Sequence, residues 1–229
     1  MNCLLTPRFT LPRAEIAKKL GIKPYSKSLD VFDELINQVE EIAQPKSMYS
    51  VAYVEDKDND KVSIEKVEFH SKTMRINLDK INRVFPFLAT CGTEVEEIEF
   101  EDGDILVQYW LNTIKLYLLH ISIDYLVKTI QDRFLLNNLS TMNPGSGDST
   151  IWPIEEQSEL FELFGGNEQV EKEIGIKLLP SYLMTPEMSS SGILFPSEIS
   201  YVNCQVCKRE DCPSRRAKFD EVKWESVQS

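Results

Sequence analysis

The longest apolar segment of the sequence, DILVQYWLNTIKLYLLHISIDYLVKTIQDRFL at residues 104–135, limits the fold more than any other feature. About twenty apolar-rich residues are enough to cross a bilayer as a helix. However, Lys115, His120 and Asp124 interrupt the segment, and each would cost on the order of a few kcal/mol in mid-membrane. We therefore predict a long helix at the centre of a globular protein, with no membrane as partner. On this helix we expect His120 to be an ordinary core histidine.

Size and charge narrow the class of protein further. A chain of 229 residues fits one domain with a real core, or one domain with a small appendage. Lys and Arg total 25 against 37 Asp and Glu, a formal net charge of -12, which would repel a nucleic-acid backbone. The N-terminal stretch has charges and prolines where a signal peptide needs an unbroken apolar core, so we expect a cytoplasmic protein.

Helix and strand patterns alternate around the long segment. Apolar residues spaced three and four apart predict an amphipathic helix between Val31 and Val39. Residues 50–69 predict a hairpin about an Asp-Asn-Asp turn, and RVFPFLATCG predicts a buried strand that ends at Gly92. WPIEEQSELFELFGG, at residues 152–166, predicts a helix, and residues 174–196 predict two short strands joined by a Pro-Glu turn.

The loop NPGSGDSTIWP, residues 143–153, follows the long helix and precedes the next predicted one. Gly145 and Gly147 carry no side chains, so a ligand or another backbone could approach the loop closely. Free amides at the start of the following helix could bind a carboxylate or a phosphate. From these residues alone, a plain turn remains the more common interpretation.

In chain order, LATCGTEVEE, the long helix, the loop with its helix, and residues 174–196 resemble the reactivation domain of cobalamin-dependent methionine synthase. The resemblance covers roughly residues 85–196. In that family a strand pair rich in Ser, Met and Pro follows the loop, and here Pro180 stands in place of a threonine. The residues that match this second motif are Leu179, Ser181, Met184, Pro186, Ser189, Ser191 and Gly192.

The resemblance implies an α+β fold with a mainly antiparallel twisted sheet, flanking helices and a long central helix. It also implies that the loop binds S-adenosylmethionine and that the domain docks on a corrinoid protein. Such a domain holds the methyl donor near an oxidised cobalt, so that reduction and methylation occur together. The candidate cofactor-binding residues carried over in this way are Pro144, Gly145, Ser146, Gly147, Asp148 and Trp152.

The loop departs from the family's pattern at two positions. Thr141 stands where the family has an arginine, and Ser146 stands where it has a tyrosine. An arginine can hold the carboxylate of an amino-acid ligand with two hydrogen bonds, and a tyrosine ring offers a flat apolar wall. Both side chains are replaced here, which argues against S-adenosylmethionine binding and leaves docking on a corrinoid protein as the role to expect.

A second clue comes from Cys204, Cys207 and Cys212 in VNCQVCKREDCPSRR. A Cys-x-x-Cys pair can place two thiolates on one metal ion, and a third cysteine after four intervening residues can reach the same centre. The motif predicts zinc or an iron–sulfur cluster, with a dithiol redox pair or incidental cysteines as alternatives. We consider Cys91 the candidate fourth ligand, ahead of His70, with Cys3 the weakest candidate.

These observations predict an activation-domain-like unit over residues 1–200 and a cysteine-containing tail over residues 201–229, packed on that unit or extending from it. Three functional hypotheses follow. The first is an accessory protein that docks on a corrinoid protein and carries a cysteine-ligated centre. The second is the S-adenosylmethionine-dependent component of a methionine synthase assembled from separate subunits, and therefore part of a methyltransferase. The third is a non-catalytic binding module with a structural zinc.

Overall fold

A computed structural model describes residues 1–99, 104–146, 151–197, 201–211, 215 and 217–228. Within these ranges the chain forms ten strands and seven α-helices. The strands are β1 (Cys3–Leu5), β2 (Lys46–Tyr49), β3 (Ala52–Asp58), β4 (Lys61–Ile64), β5 (Val67–His70), β6 (Arg83–Thr90), β7 (Leu139–Met142), β8 (Lys177–Leu178), β9 (Met184–Thr185) and β10 (Ser189–Pro196). The helices are α1 (Arg13–Lys19), α2 (Lys27–Ile42), α3 (Lys72–Asn77), α4 (Ile105–Phe134), α5 (Gln157–Glu162), α6 (Asn167–Ile174) and α7 (Glu221–Gln228).

Eight of the strands form one sheet around β6, and all their strand pairs are antiparallel. β10 pairs along one side of β6, and β7 pairs with the far side of β10. β2 and β3 follow one another along the other side of β6, with β1 beyond β2 and with β4 and β5 beyond β3. β8 and β9 form a separate two-stranded ribbon.

Alternation along β6 divides the core into two layers. Phe85 and Phe87 pack in a cluster with residues of α4, whereas Val84 and Leu88 belong to clusters that contain residues of α5 and α6. Successive side chains of a strand point to opposite faces of its sheet, so α4 covers one face and the shorter helices cover the other. The run of apolar residues in RVFPFLATCG reflects this burial on both sides.

The long helix α4 has clear local signals at both ends. The Asp104 side chain caps it by accepting a hydrogen bond from the Val107 N–H (3.2 Å). Leu135 follows the last turn in the left-handed conformation, with φ +55. Lys115 is buried in its middle and pairs with Glu96 at 2.7 Å. Among the described residues, no helix is long and apolar enough to cross a membrane.

The fold class predicted from the sequence is confirmed: an antiparallel sheet with flanking helices and a long central helix. His120, however, is exposed, so the prediction that it is a core histidine is wrong. Residues 174–196 form three strands rather than two, because β8 and β9 pair with each other before β10 joins the sheet. The predicted helix at residues 152–166 is confirmed only in part, as α5.

Candidate functional site

The loop after β7 begins with a tight turn formed by Asn143, Pro144, Gly145 and Ser146. The Ser146 N–H donates to the Asn143 carbonyl (3.3 Å), and Gly145 has φ +66. Proline second and a left-handed glycine third are the features of a type II turn. The Gly145 N–H then donates to the Trp152 carbonyl (2.9 Å), which closes the loop. Gly147 and Asp148 lie outside the described residues.

Space as well as backbone conformation requires the glycine at 145. A Cβ built on Gly145 would lie 2.9 Å from the Cβ of Ile154, a distance that real Cβ contacts essentially never show. Gly145 is exposed on its other side, whereas Pro144 is buried. The turn therefore exposes backbone at Gly145.

The turn packs directly against the second motif, at the start of β10. The Asn143 side-chain amide donates to the Ser191 carbonyl (2.6 Å), and the Ser191 hydroxyl donates to the Gln157 side chain (3.0 Å). A Cβ on Gly192 would lie 2.3 Å from the Met142 carbonyl oxygen, so only glycine permits this approach. The two segments that carry the sequence resemblance are thus joined at one place.

Trp152 is fully buried and closes the loop from the inside. Its indole N–H donates to Glu156 Oε2 (3.0 Å), and its ring meets Phe69 edge-on with centroids 5.8 Å apart. These contacts give Trp152 a packing role beneath the turn. Its predicted contact with a cofactor stays a prediction.

Glu156 links the loop to β5. The backbone N–H of His70 donates to its Oε1 (2.7 Å), and the His70 ring Nδ1 lies 3.1 Å from the same oxygen. The other ring nitrogen of His70 lies 3.1 Å from Glu68. Burial raises the pKa of the Glu156 carboxyl, while the hydrogen bonds from His70 and Trp152 act in the opposite direction.

The C-terminal segment, Tyr201–Val206, lies along β7 and over the turn. Val202 forms a parallel bridge with Thr141, and the Tyr201 N–H donates to the Ser140 hydroxyl (2.8 Å). The Asn203 amide donates to the carbonyls of Asn143 (3.2 Å) and Ser146 (3.0 Å). Thr141 and Ser146, the positions where the family has arginine and tyrosine, are therefore both held by this segment.

The Cys204-x-x-Cys207 pair lies in the turn that follows. Gln205 is helical and Val206 has φ -110 and ψ 7, a turn geometry that places the two cysteine Cα atoms within about 7 Å. Both cysteines are partly exposed. The Arg215 guanidinium donates to the backbone carbonyls of Cys204, Cys207, Arg209 and Ala217, and thereby holds the turn in shape.

The structure does not bring Cys91 to this turn. Val202, Thr141, Leu194 and Phe85 lie on successive strands, so Val202 is about 14 Å from Phe85. Cys91 directly follows β6, the strand that carries Phe85. It is also buried on the α4 face, where burial raises the pKa of its thiol to about 12. Val206 of the cysteine turn is buried in the cluster on the opposite face, so the fold gives no support to Cys91 as the fourth ligand, and that role stays a prediction.

The other candidate ligands are His70, Cys3 and Cys212. Both ring nitrogens of His70 contact carboxylates, Nε2 that of Glu68 and Nδ1 that of Glu156. Cys3 pairs across the strands with Tyr49 and lies 3.6 Å from an Arg133 nitrogen. No group of three or more His, Cys, Asp or Glu residues able to hold a metal occurs in the described part of the chain. Cys212, the third cysteine of the motif, lies outside that part.

Sequence patterns did not predict several polar residues of the site, namely Asn143, Glu156, Gln157 and Asn203. Asn143 had the best sequence signal, because asparagine is favoured at the first position of a turn before Pro-Gly. Asn203 had none, because its contacts join segments 57 and 60 residues apart in the chain.

Comparison with known proteins supports the fold. The sequence matches no protein-family model and no curated protein. The structure is similar to the crystal structure of the MetH reactivation domain bound to AdoHcy, with a TM-score of 0.55 and 16% sequence identity. The match covers 84% of this chain and 68% of that one. The chain therefore has a reactivation-domain fold, which confirms the resemblance predicted from the sequence.

Proposed function

We propose that this chain is a cytoplasmic accessory protein that docks on a corrinoid protein, in the manner of a methionine synthase reactivation domain. The observation that carries the proposal is the contact between the turn at Asn143–Ser146 and the start of β10 at Ser191–Gly192. Both segments resemble the family in sequence, and they meet within a fold similar to the MetH reactivation domain. Packing of this kind gives a rigid, largely backbone surface beside the sheet.

The same surface supports a docking role better than a methyl-donor role. The side chains expected to grip an amino-acid carboxylate are replaced by Thr141 and Ser146, and backbone groups of the turn are occupied by Asn203. The turn has no arginine of its own to form a bidentate pair with a carboxylate. We therefore expect S-adenosylmethionine to bind weakly or not at all.

The second part of the proposal is that Cys204, Cys207 and Cys212 hold zinc or an iron–sulfur cluster. It is supported by the turn geometry at the first two cysteines and by Arg215, which fixes their backbone. An iron–sulfur cluster there would supply one electron to oxidised cobalt of the partner, whereas zinc would only brace the segment. The fourth ligand would come from the partner, from a small molecule or from sulfide.

Docking is tested by titrating the purified chain into a methionine synthase corrinoid domain loaded with cobalamin. We expect a saturable complex by calorimetry and a change in the visible spectrum of the bound cobalamin. The same domain without cobalamin shows whether the cofactor contributes to binding, and an unrelated protein of similar negative charge is the control. Absence of a complex with every cobalt oxidation state would refute the docking role.

Two further measurements separate the alternative functions. Calorimetry with S-adenosylmethionine and S-adenosylhomocysteine tests the second hypothesis, since tight binding would make the chain a methyl-transfer component. Metal and acid-labile sulfide analysis of protein purified without oxygen tests the cysteine centre, since a cluster is brown and zinc is colourless. Cys207→Ala should remove the metal, and Cys91→Ala should retain it because Cys91 lies on the other face of the sheet.

A further inference from the structure

The C-terminal segment Tyr201–Val206 packs against the loop, although it lies beyond the residues that resemble the family. Tyr201 and Val206 are buried in the same core cluster as Trp152 and Ile151 of the loop. The Thr141–Val202 bridge adds this segment to the sheet beside β7. The loop is therefore held from the inside by its own tryptophan and from the outside by a segment about sixty residues later.

Asn203 makes the decisive contacts. It is 1% exposed, and its amide nitrogen bridges the carbonyl oxygens of Asn143 and Ser146, the first and last residues of the turn. Carbonyl oxygens only accept hydrogen bonds, so the NH2 group rather than the oxygen of the Asn203 amide must face them. A single side chain thus spans the turn.

We propose that Asn203 is the positioning residue that fixes the turn at Asn143–Ser146 for docking, a role that rests on the proposed function of that turn. The turn has only one hydrogen bond of its own across its ends, from Ser146 to Asn143, and it is long at 3.3 Å. Two additional bonds from a buried amide hold both end carbonyls at once. Cys204 follows Asn203 directly, so this residue is one link between the cysteine turn and the loop.

The test compares Asn203→Ala and Asn203→Asp with Asn137→Ala, a change at an exposed asparagine after α4. Aspartate keeps the shape of asparagine, but its ionised carboxylate has no donor and would face two carbonyl oxygens, so it tests the hydrogen bonds with little change in volume. Amide hydrogen exchange, read by mass spectrometry, is measured on peptides covering residues 140–152 and, as a reference, on β6. We expect exchange at least about tenfold faster in the loop for both Asn203 variants, with β6 and the Asn137 variant unchanged.

A second variant keeps the test decisive if Asn203 variants unfold. Arg215→Met removes the guanidinium that holds the cysteine turn from outside the core, and we expect the same loosening of residues 140–146. Unchanged exchange in the loop of the Asn203 variants, while Tyr201–Val206 remain protected, would overturn the proposal. Exchange needs no partner, so this outcome is independent of whether the chain binds a corrinoid protein. If it does bind, the Asn203 variants should lower the affinity for the corrinoid domain about tenfold.

Discussion

At the scale of residues, two glycines control how the loop and β10 approach each other. Gly145 is in the left-handed region and lies against Ile154, and Gly192 lies against the Met142 carbonyl. The first is constrained by backbone conformation and by space, the second by space alone. Their side-chain-free surfaces allow the Asn143 amide to reach Ser191.

Gly192→Ala tests this close packing. A Cβ would lie 2.3 Å from a backbone oxygen that cannot rotate away, so β7 and β10 would have to separate. We expect the free energy of unfolding to fall by about 1–3 kcal/mol, measured by urea denaturation. Gly21→Ala is the matched control, because Gly21 has φ +69 but nothing within 4 Å of the added carbon. A smaller loss at Gly192 than at Gly21 would show that space is not limiting there.

Glu156→Gln tests the buried carboxyl that joins the loop to β5. Burial raises the pKa of Glu156, so the folded protein binds this proton more readily than the unfolded chain. The stability that this proton provides is present below the ordinary carboxyl pKa of about 4.3 and is lost as the pH rises through the raised pKa. The free energy of unfolding of wild type minus that of the variant should therefore fall with rising pH over that window. A difference independent of pH would contradict the raised pKa.

The cysteines should differ sharply in reactivity. Cys91 is buried and its thiol pKa is raised to about 12, so it has almost no thiolate at about pH 8. Cys204 and Cys207 are partly exposed. In metal-free native protein, iodoacetamide should label the latter pair first, and Cys91 only after denaturant is added, as read by peptide mass spectrometry. Early labelling of Cys91 would place it outside the core.

Local sequence patterns predicted the part of the site that consists of the glycine turn and the start of β10. The glycine turn and the Ser-Gly strand start were visible because their chemistry is local, and Pro-Gly specifies a turn by itself. Glu156 and Asn203 were not visible, since their partners are 86 and 60 residues away in the chain. Cys91 was selected as a ligand by residue type, and its burial on the α4 face of the sheet could not be read from the sequence.

At the scale of elements, α4 is the part of the fold most strongly encoded by local signals. Its apolar length, the Asp104 cap and the ion pair of buried Lys115 with Glu96 all agree with a central helix. Its end is less favourable, because Leu135 adopts φ +55 and is 89% exposed. A side chain with a Cβ is strained in this conformation, and exposure leaves nothing to compensate.

Leu135→Gly should therefore stabilise the protein. Glycine adopts the left-handed conformation without a Cβ clash, so we expect a gain of about 1 kcal/mol in the free energy of unfolding. Leu135→Ala is the control, because it removes the exposed side chain and keeps the strain. Thermal denaturation of the three proteins measures the effect, and equal stability of the glycine and alanine variants would rule out backbone strain as the cause.

The elements that the sequence failed to predict are short. β7 has four residues, Leu139–Met142, with no clear alternation of apolar and polar side chains, and its pairing partner β10 lies about fifty residues later. β1 has three residues and depends on β2 for its hydrogen bonds. Periodicity needs several repeats to be visible, so α2 and α4 were predicted and these strands were not.

At the scale of the whole molecule, the C-terminal tail shares the core of the main body. Tyr201 and Val206 are buried in the cluster beneath the loop, and Trp224 packs against that cluster. Lys208 lies 3.4 Å from the centre of the Trp224 ring, which ties α7 to the cysteine turn. A division of the chain at residue 200 would cut through this core.

Truncation after Ser197 measures how much the tail contributes. Burial of one large side chain provides about 1.5–3 kcal/mol, so the loss of Tyr201 and Val206 should lower the free energy of unfolding by about 3 kcal/mol or more. Urea denaturation followed by circular dichroism gives the value. Truncation after Asp220, which removes α7 but keeps the cysteine turn, should cost less. An unchanged midpoint after the first truncation would mean that the tail is an independent appendage.

The Thr141–Val202 bridge has a consequence for how separate copies of this protein behave toward one another. Among the described residues, β7 is the last strand on its side of the sheet, and the bridge occupies part of its outward row of N–H and C=O groups. Unpaired edge strands can form hydrogen bonds with strands of other chains, and they therefore promote aggregation. Loss of the tail, by proteolysis or by mutation, would therefore favour self-association through β7. The intact tail hinders such self-association because it covers part of the β7 edge.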